Sequence, residues 1–382
     1  MNKIIALINR IYDFFISIGV TKVLAKKEIA QIKKKSGINN NCKNIRDWKK
    51  KWRVLGRPNT DYYRVFSQYC GEDLNIVPDN ICHNVIEPIL NPKRFISTYE
   101  DKCLFDKFLN PTFSKNITPS TFLRCINGIY YNANYERVGA IDDVIKNIPV
   151  DINKLIIKKS IDSSSGKGIG FICKDRDSFF RDYYTDEVVS EEYLKRNFGM
   201  NYLVQQVVCQ SSFMSQFCHT SVNTIRIAIY RSVKNNKPIV INSIIRIGKE
   251  GSLVDNAHAG GLFVGVDENG KLGSYCCNQF GEKITVFNDI DFTSQSLLIP
   301  DYQGVKAFAE RVADAIPHHR LLALDIMLDE NNHPILLEYN IRAFSVWLFQ
   351  FTNGAGFGRY TDEIIEYCKD HKKEATRVSV LF

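Results

Sequence analysis

The stretch LDIMLDENNHPILLEYN, residues 324–340, decides the fold class. It joins the end of LLALDIML (321–328) to PILLEYN (334–340) through the turn-rich DENNHP. Two apolar runs of strand length, separated by Asp, Asn and Pro, predict two buried strands with a tight connection. Each strand carries a polar interruption: Asp325 in the first, Glu338 and Asn340 in the second. Residues two apart on a strand share a face, so Glu338 and Asn340 project together, beside Asp325 on the neighbouring strand. An acid inside a strand is expensive unless it is paired or bound to a metal. Two carboxylates and an amide carbonyl are hard oxygen donors that suit Mg²⁺ held with substrate phosphates, and salt-bridged acids at a sheet edge are the alternative.

Outward from this hairpin, TIRIAIY (224–230) and PIVINSIIRIG (238–248) read as further buried strands. Arg226 and Arg246 sit inside them among apolar residues. A buried guanidinium needs an anion, and its planar fork suits a carboxylate or a phosphate; that anion is either a core acid or a substrate. The following VDNAHAGGLFVGVD offers Asn256, His258 and the Gly260-Gly261 pair, where backbone can approach a ligand closely. Earlier in the chain, LIIKKSIDSSSGKGIGF (155–171) delivers Lys158 and Lys159 from a strand into a loop with Gly166, Gly168 and Gly170. Such a loop either cradles phosphate oxygens with backbone N–H groups or is a surface turn. It is not a Walker A loop, because position 161 is Ile and position 168 is Gly. Nor is it a dinucleotide fingerprint, because position 171 is Phe.

Strand-like runs at 155–159 and 202–208 alternate irregularly with helical candidates at 302–316 and 360–370. Without a β-α-β rhythm, α+β is favoured over a doubly wound sheet. The 382 residues, 45% hydrophobic and 24% charged, exclude a disordered chain and a multi-span membrane protein. Eleven cysteines with no secretory signal ahead of them predict reduced, mostly buried thiols and a cytoplasmic location. Cys276-Cys277 has no second pair at zinc spacing.

Charge is concentrated at one end. Residues 1–57 hold 15 Lys and Arg against 3 Asp and Glu, while the remainder of the chain is net −4. A nucleic-acid enzyme spreads its cations around a cleft, so no nucleic-acid partner is expected. Ile4, Leu7, Ile8, Ile11, Phe15 and Ile18 fall at helical spacing ahead of Lys33–Lys35 and Lys49–Lys51. The pattern fits either a helix packed on the body or a peripheral contact with the inner face of a membrane. Residues 58–98 are rich in turns and aromatics, with Pro58, Pro78, Pro88 and Pro92.

Taken in order, Lys102 in DKCLFDKF, KKSIDSSSGKGIG, LVQQVV, SVNTIRI and D…EYN resemble an ATP-grasp enzyme. More narrowly, NIVPDNICHNVIEPILN (75–91), RCINGIYY (124–131), DNAHAGG and GRYTDEI resemble the sugar-transfer-associated ATP-grasp family, over residues from about 50 to 370. The resemblance implies two α+β subdomains that close on ATP. It divides the chain into a basic, largely helical region at 1–98, a lid subdomain at 99–208 and a metal- and substrate-binding subdomain at 209–382. Lys102 and Lys158 match its phosphate-gripping lysines, although Lys159 stands where many relatives have Pro. The loop 163–168, with Ser164, Ser165, Gly166 and Gly168, matches its flexible lid. Gln205, Gln206, Val207 and Val208 match the hinge whose backbone reads adenine. Asp325, Glu338 and Asn340 match its Mg²⁺ ligands, and Arg226 the arginine near the γ-phosphate and the activated carboxylate. Arg246 and Arg342 are further candidates on the substrate side, since IRAFSVWLFQ follows EYN where relatives are commonly Gly-rich. The implied activity is an ATP- and Mg²⁺-dependent carboxylate–amine ligation through an acyl phosphate. In the family's setting its substrates are an amino acid and a uronic-acid-containing sugar in surface polysaccharide biosynthesis. A sugar kinase and a non-catalytic nucleotide-binding partner of a glycosyltransferase are the alternatives.

Overall fold

A computed structural model describes residues 28–375, apart from 142–143, 145–147, 162–167, 254, 256 and 258–259. The apolar segment 4–18, Ser164, Ser165, Gly166, Asn256 and His258 lie outside the described residues. The chain forms two compact units, and each is a mixture of helix and antiparallel sheet. One gathers Met1–Ile96, Phe213–Asp325 and Tyr339–Phe382; the other gathers Ser97–Ser212 and Ile326–Glu338.

The smaller unit is built on strands β1 (Thr121–Ile126), β2 (Ile129–Tyr131), β3 (Lys154–Lys159), β4 (Ile169–Lys174), β5 (Phe180–Asp182) and β6 (Tyr202–Gln206). They form one sheet in the order β2-β1-β6-β3-β4-β5, antiparallel throughout. Alternation on β3 turns Leu155 and Ile157 into the core with Leu123, Ile172 and Val204, and leaves Ile156 and Lys158 on the other face. The helix Glu191–Phe198 covers the core face with Tyr193, Leu194 and Phe198. Ser190 caps its first turn by accepting the Tyr193 N–H, and acids at its start and cations at its end complement the helix dipole.

The larger sheet comprises β7 (Thr224–Arg231), β8 (Pro238–Ile247), β9 (Leu262–Val266), β10 (Leu272–Cys277), β11 (Lys283–Ile284), β14 (Leu321–Leu328) and β15 (Pro334–Asn340). Two short strands, β12 (Val286–Phe287) and β13 (Ile290–Asp291), pair separately. The sheet order is β11-β10-β9-β8-β7-β14-β15. Every residue of β7 and β14 is buried, which accounts for their continuous apolar runs. The strands and helices read from the sequence appear within a few residues of their expected bounds. Within that margin, the strand read at 202–208 ends two residues early, since β6 stops at Gln206.

The N-terminal helices share the core of this larger unit. Trp48 and Trp52 of the helix Ile45–Trp52 are fully buried, and their ring N–H groups donate to the carbonyls of Ile76 (2.7 Å) and Leu74 (3.1 Å). The helix Thr60–Cys70 adds Tyr63 and Phe66, the latter packed 4.8 Å from Phe351. The stretch 58–98 is more helical than its prolines suggest. Pro78 precedes Asp79–Ile81 and Pro92 precedes Lys93–Phe95, helix entrances where the missing N–H costs nothing. Pro88 instead lies inside the continuous helical run 79–90, directly after the π-helical turn Cys82–Ile86, which interrupts the regular hydrogen-bond ladder there. Cys276 and Cys277 are buried, and burial pushes the Cys277 thiol up to about 12. Among the described residues no helix is long and apolar enough to cross a membrane.

At Gly265 in β9 the backbone of Thr352 presses directly on the strand, and a Cβ there would stand 2.6 Å from the Thr352 carbonyl oxygen. Gly265→Ala should therefore destabilise the protein by about 1–3 kcal/mol, read as a lowered urea midpoint with an unchanged slope.

Candidate active site

The register of the larger sheet gathers a cluster of charges. Cross-strand pairing sets Thr224 of β7 opposite Arg246 of β8, and β14 lies on the other side of β7. Arg226 grips Asp325 with both carboxylate oxygens within 3.1 Å of one guanidinium nitrogen. Arg246 donates to the same carboxylate at 3.2 Å. It also pairs at 3.0 Å with Asp255, whose other oxygen accepts from the Thr224 hydroxyl. Asn340 completes the cluster, its Nδ2 donating to Asp325 (3.3 Å) and to the Ala323 carbonyl (3.2 Å).

Burial pushes the Asp325 carboxyl up, but Arg226 and Arg246 outweigh burial and hold it below the usual carboxylate range. Asp255 goes the other way. Burial and the neighbouring Asp325 charge raise it, against the pull of Arg246. Arg226 Nε is buried and has no hydrogen-bond partner among the described residues. One edge of that guanidinium is therefore committed to Asp325, while the other is not.

Glu338, two residues before Asn340 on β15, belongs to the smaller unit and is partly exposed. Lys102 Nζ reaches it at 3.0 Å. Lys102 stands on the short helical turn Lys102–Leu104, whose start is capped by Asp101 and tied to the end of β3 by a bond from its own N–H to the Ser160 carbonyl. Lys158 is half-buried on β3. Gly168 has a structural reason of its own: its φ is +78°, and a Cβ would come 2.9 Å from the Lys159 stem. Gly170 likewise yields to the Phe198 ring. Two of the three loop glycines are thus accounted for by close packing, without a phosphate.

Gln205 is buried in the middle of the sheet, donating to the Pro119 carbonyl and the Thr121 hydroxyl, so its side chain is a packing element. Beyond Gln206 the chain leaves β6, and Val207 and Val208 run half-buried outside the sheet. Arg342 is exposed on the segment after β15.

Several positioning residues escape the sequence reading. Asn91 is buried and bridges both strand ends, donating to the carbonyls of Leu321 and Ile341 and accepting from the N–H groups of Arg320 and Leu321. Glu87 accepts the Phe344 N–H at 2.8 Å, between Ala343 and Ser345, both left-handed. His83 links Glu87 to Asp79, and Asp79, foremost, pushes the imidazole up to about 12. An acid-His-acid spacing of four residues along a helical run was the available signal. Asp255, inside DNAHAGG, had none.

Residues 83–365 match the model of the sugar-transfer-associated ATP-grasp family. No curated protein sequence matches the chain. Among solved structures, the chain is similar to the ATP-grasp ligase PsnB complexed with a phosphomimetic variant of its minimal precursor, Mg and ADP. The identity is 12% and the TM-score 0.39, over 73% of this chain and 62% of that one. It is also similar to the biotin carboxylase domain of Hydrogenobacter thermophilus 2-oxoglutarate carboxylase in complex with MgADP, ADP and bicarbonate. Here the identity is 11% and the TM-score 0.40, over 73% of this chain and 47% of that one. The chain spans less than two thirds of the length of either structure.

Because Asp325 is more acidic folded than unfolded, its ionisation favours folding above the ordinary aspartate range. That contribution is lost as pH falls through the depressed folded value. Asp325→Ala, which leaves two guanidiniums without their shared anion, should cost about 3–5 kcal/mol at neutral pH. Urea melts across the acid range should show a flatter pH dependence for Asp325→Asn than for the wild type.

Proposed function

As a member of the sugar-transfer-associated ATP-grasp family, this chain is, we propose, an ATP-dependent ligase that activates a carboxylate as an acyl phosphate and passes it to an amine. One observation carries this reading: two arginines, Arg226 buried and Arg246 half-buried, converge on a single ionised aspartate beside a strand bearing further oxygen donors. Attack by a carboxylate on a phosphoryl group brings two anions together in a dry cleft, so cations must hold both. Arg226 and Arg246 supply them from rigid strands, and the unused Nε of Arg226 gives it a further edge for an incoming anion. A carboxylate is already an ionised nucleophile, so this first step needs no base.

Mg²⁺ would be held by Asp325, Glu338 and Asn340, and when bound it neutralises charge on the nucleotide phosphates. The donor chemistry supports that set. Asp325 is held ionised and Glu338 is accessible. Asn340 gives its Nδ2 group to Ala323 and Asp325, and its carbonyl oxygen accepts no hydrogen bond among the described residues. In the structure these acids are neutralised by protein cations, Glu338 by Lys102 and Asp325 by the two arginines. On this reading, both cations and acids exchange partners when nucleotide enters: Lys102, with Lys158, turns to phosphate. The backbone of Gln206, Val207 and Val208 contacts the base, and residues 163–168 cover the phosphates. Arg342 faces the acceptor.

The family description points to a sugar as one substrate. We read the carboxylate as a uronic acid and the amine as an amino acid, in the building of a surface polysaccharide. Phosphoryl transfer to a sugar hydroxyl is the competing use of the same nucleotide site. It needs a group beside the hydroxyl to position it or take its proton.

ADP release assayed against pairs of candidate uronic acids and amino acids tests the reading, because turnover should require both partners. Asp325→Asn and Glu338→Gln should each lower kcat by at least about a hundredfold with the fold retained. Near-normal turnover in both variants would refute the assignment. Lys158→Ala should act mainly on ATP affinity, raising KM more than it lowers kcat.

A further inference from the structure

The helix Ile45–Trp52 divides its residues by charge. Trp48 and Trp52 are buried, Ile45 is half-buried against the same core, and Leu55 continues that face beyond the helix end. Arg46, Lys49, Lys50 and Arg53, spaced i, i+3, i+4 and i+7, line the opposite face, and all four are exposed. In the same segment Lys33, Lys35 and Lys51 pair with Asp61, Glu282 and Asp362. The four stripe cations have no ion pair among the described residues. Like charges at these spacings repel, and the buried tryptophans hold the helix together in spite of it. An anionic surface laid along the stripe would relieve that repulsion.

We propose that this stripe docks the protein on an anionic lipid surface. Three observations select a membrane over other polyanions. The aromatic residues that would stack on nucleic-acid bases, Trp48 and Trp52, are turned into the core. Beyond residue 57 the chain is net −4, so the excess of positive charge belongs to the stretch of chain that carries the stripe. Ahead of the stripe the sequence places Ile4, Leu7, Ile8, Ile11, Phe15 and Ile18 at a helical period, an apolar complement to a basic surface at a lipid interface. The proposal is independent of the reaction assigned above, since it draws on none of its residues.

The test is co-sedimentation of the full chain with phosphatidylcholine vesicles, with and without phosphatidylserine, over a salt series. Binding should require phosphatidylserine and fall steeply with salt. The combined variant Arg46→Gln, Lys49→Gln, Lys50→Gln and Arg53→Gln should bind at least about a hundredfold more weakly, at roughly fivefold per cation. Its ADP release on soluble substrates should be unchanged. Should the quadruple variant not fold, Lys49→Gln with Lys50→Gln takes its place and should bind at least about tenfold more weakly. No binding to phosphatidylserine vesicles at low salt, equal binding to both vesicle types, or undiminished binding by a folded variant would overturn the proposal. Binding to an oligonucleotide or a polyuronate without binding to vesicles would overturn it as well.

Discussion

The paired grip of Arg226 and Arg246 on Asp325 is the interaction on which the charge balance inside the larger unit rests. A buried carboxylate is tolerable only because two guanidiniums reach it from neighbouring strands, and each guanidinium is tolerable only because an acid answers it. Sheet register makes this arrangement unavoidable. A slip of one residue in β7 against β8 would turn Arg226 to the opposite face and part Thr224 from Arg246. Asp255 steadies the outer arginine, which leaves Arg226 with Asp325 as its principal anion and an unused edge beside it.

This economy makes the same groups suited to exchange partners. Charges that neutralise one another within the protein can be handed to a ligand of matching charge without leaving any of them exposed to an apolar surround. The N-terminal region contributes by fixing where the strands end. Asn91 satisfies backbone groups at the start of β14 and after β15, and Glu87 anchors Phe344 in a turn with two left-handed residues. Both are far from the acids in sequence, yet they set the path of the chain on which Asn340 and Arg342 stand.

Much of this was legible in the sequence because burial on both faces writes strands as unbroken apolar runs. LLALDIML and TIRIAIY, buried at every residue, needed no other signal, and the polar residues inside them announced themselves as expensive; PILLEYN, read as a buried strand, is buried only at Leu336 and Tyr339. The pairing of Arg226 with a core acid was one of two readings open from the sequence, and which acid answers it depends on strand order, which periodicity does not encode. Asp255 was illegible for a related reason: it lies in an irregular loop, and only the register of β7 and β8 reveals Arg246 and Thr224 as its partners. The glycines of SSGKGIG carry a second constraint that the sequence does not show. Their spacing suggests phosphate, while the packing of Gly168 on Lys159 and of Gly170 on Phe198 accounts for two of them by tertiary contact. The helices of 58–98 were obscured by prolines, of which Pro78 and Pro92 stand at helix entrances and Pro88 follows a π-helical turn, positions clear only once the helices are seen.

The central claim is that the arginine–aspartate cluster serves to activate a carboxylate. Trapping of the activated species tests it most directly. Incubation with ATP, a panel of uronic acids and hydroxylamine should yield a hydroxamate together with ADP for the right acid, and no phosphorylated sugar should persist. A phosphorylated sugar that accumulates without any amine, and that survives hydroxylamine, would show transfer to a hydroxyl and contradict the account.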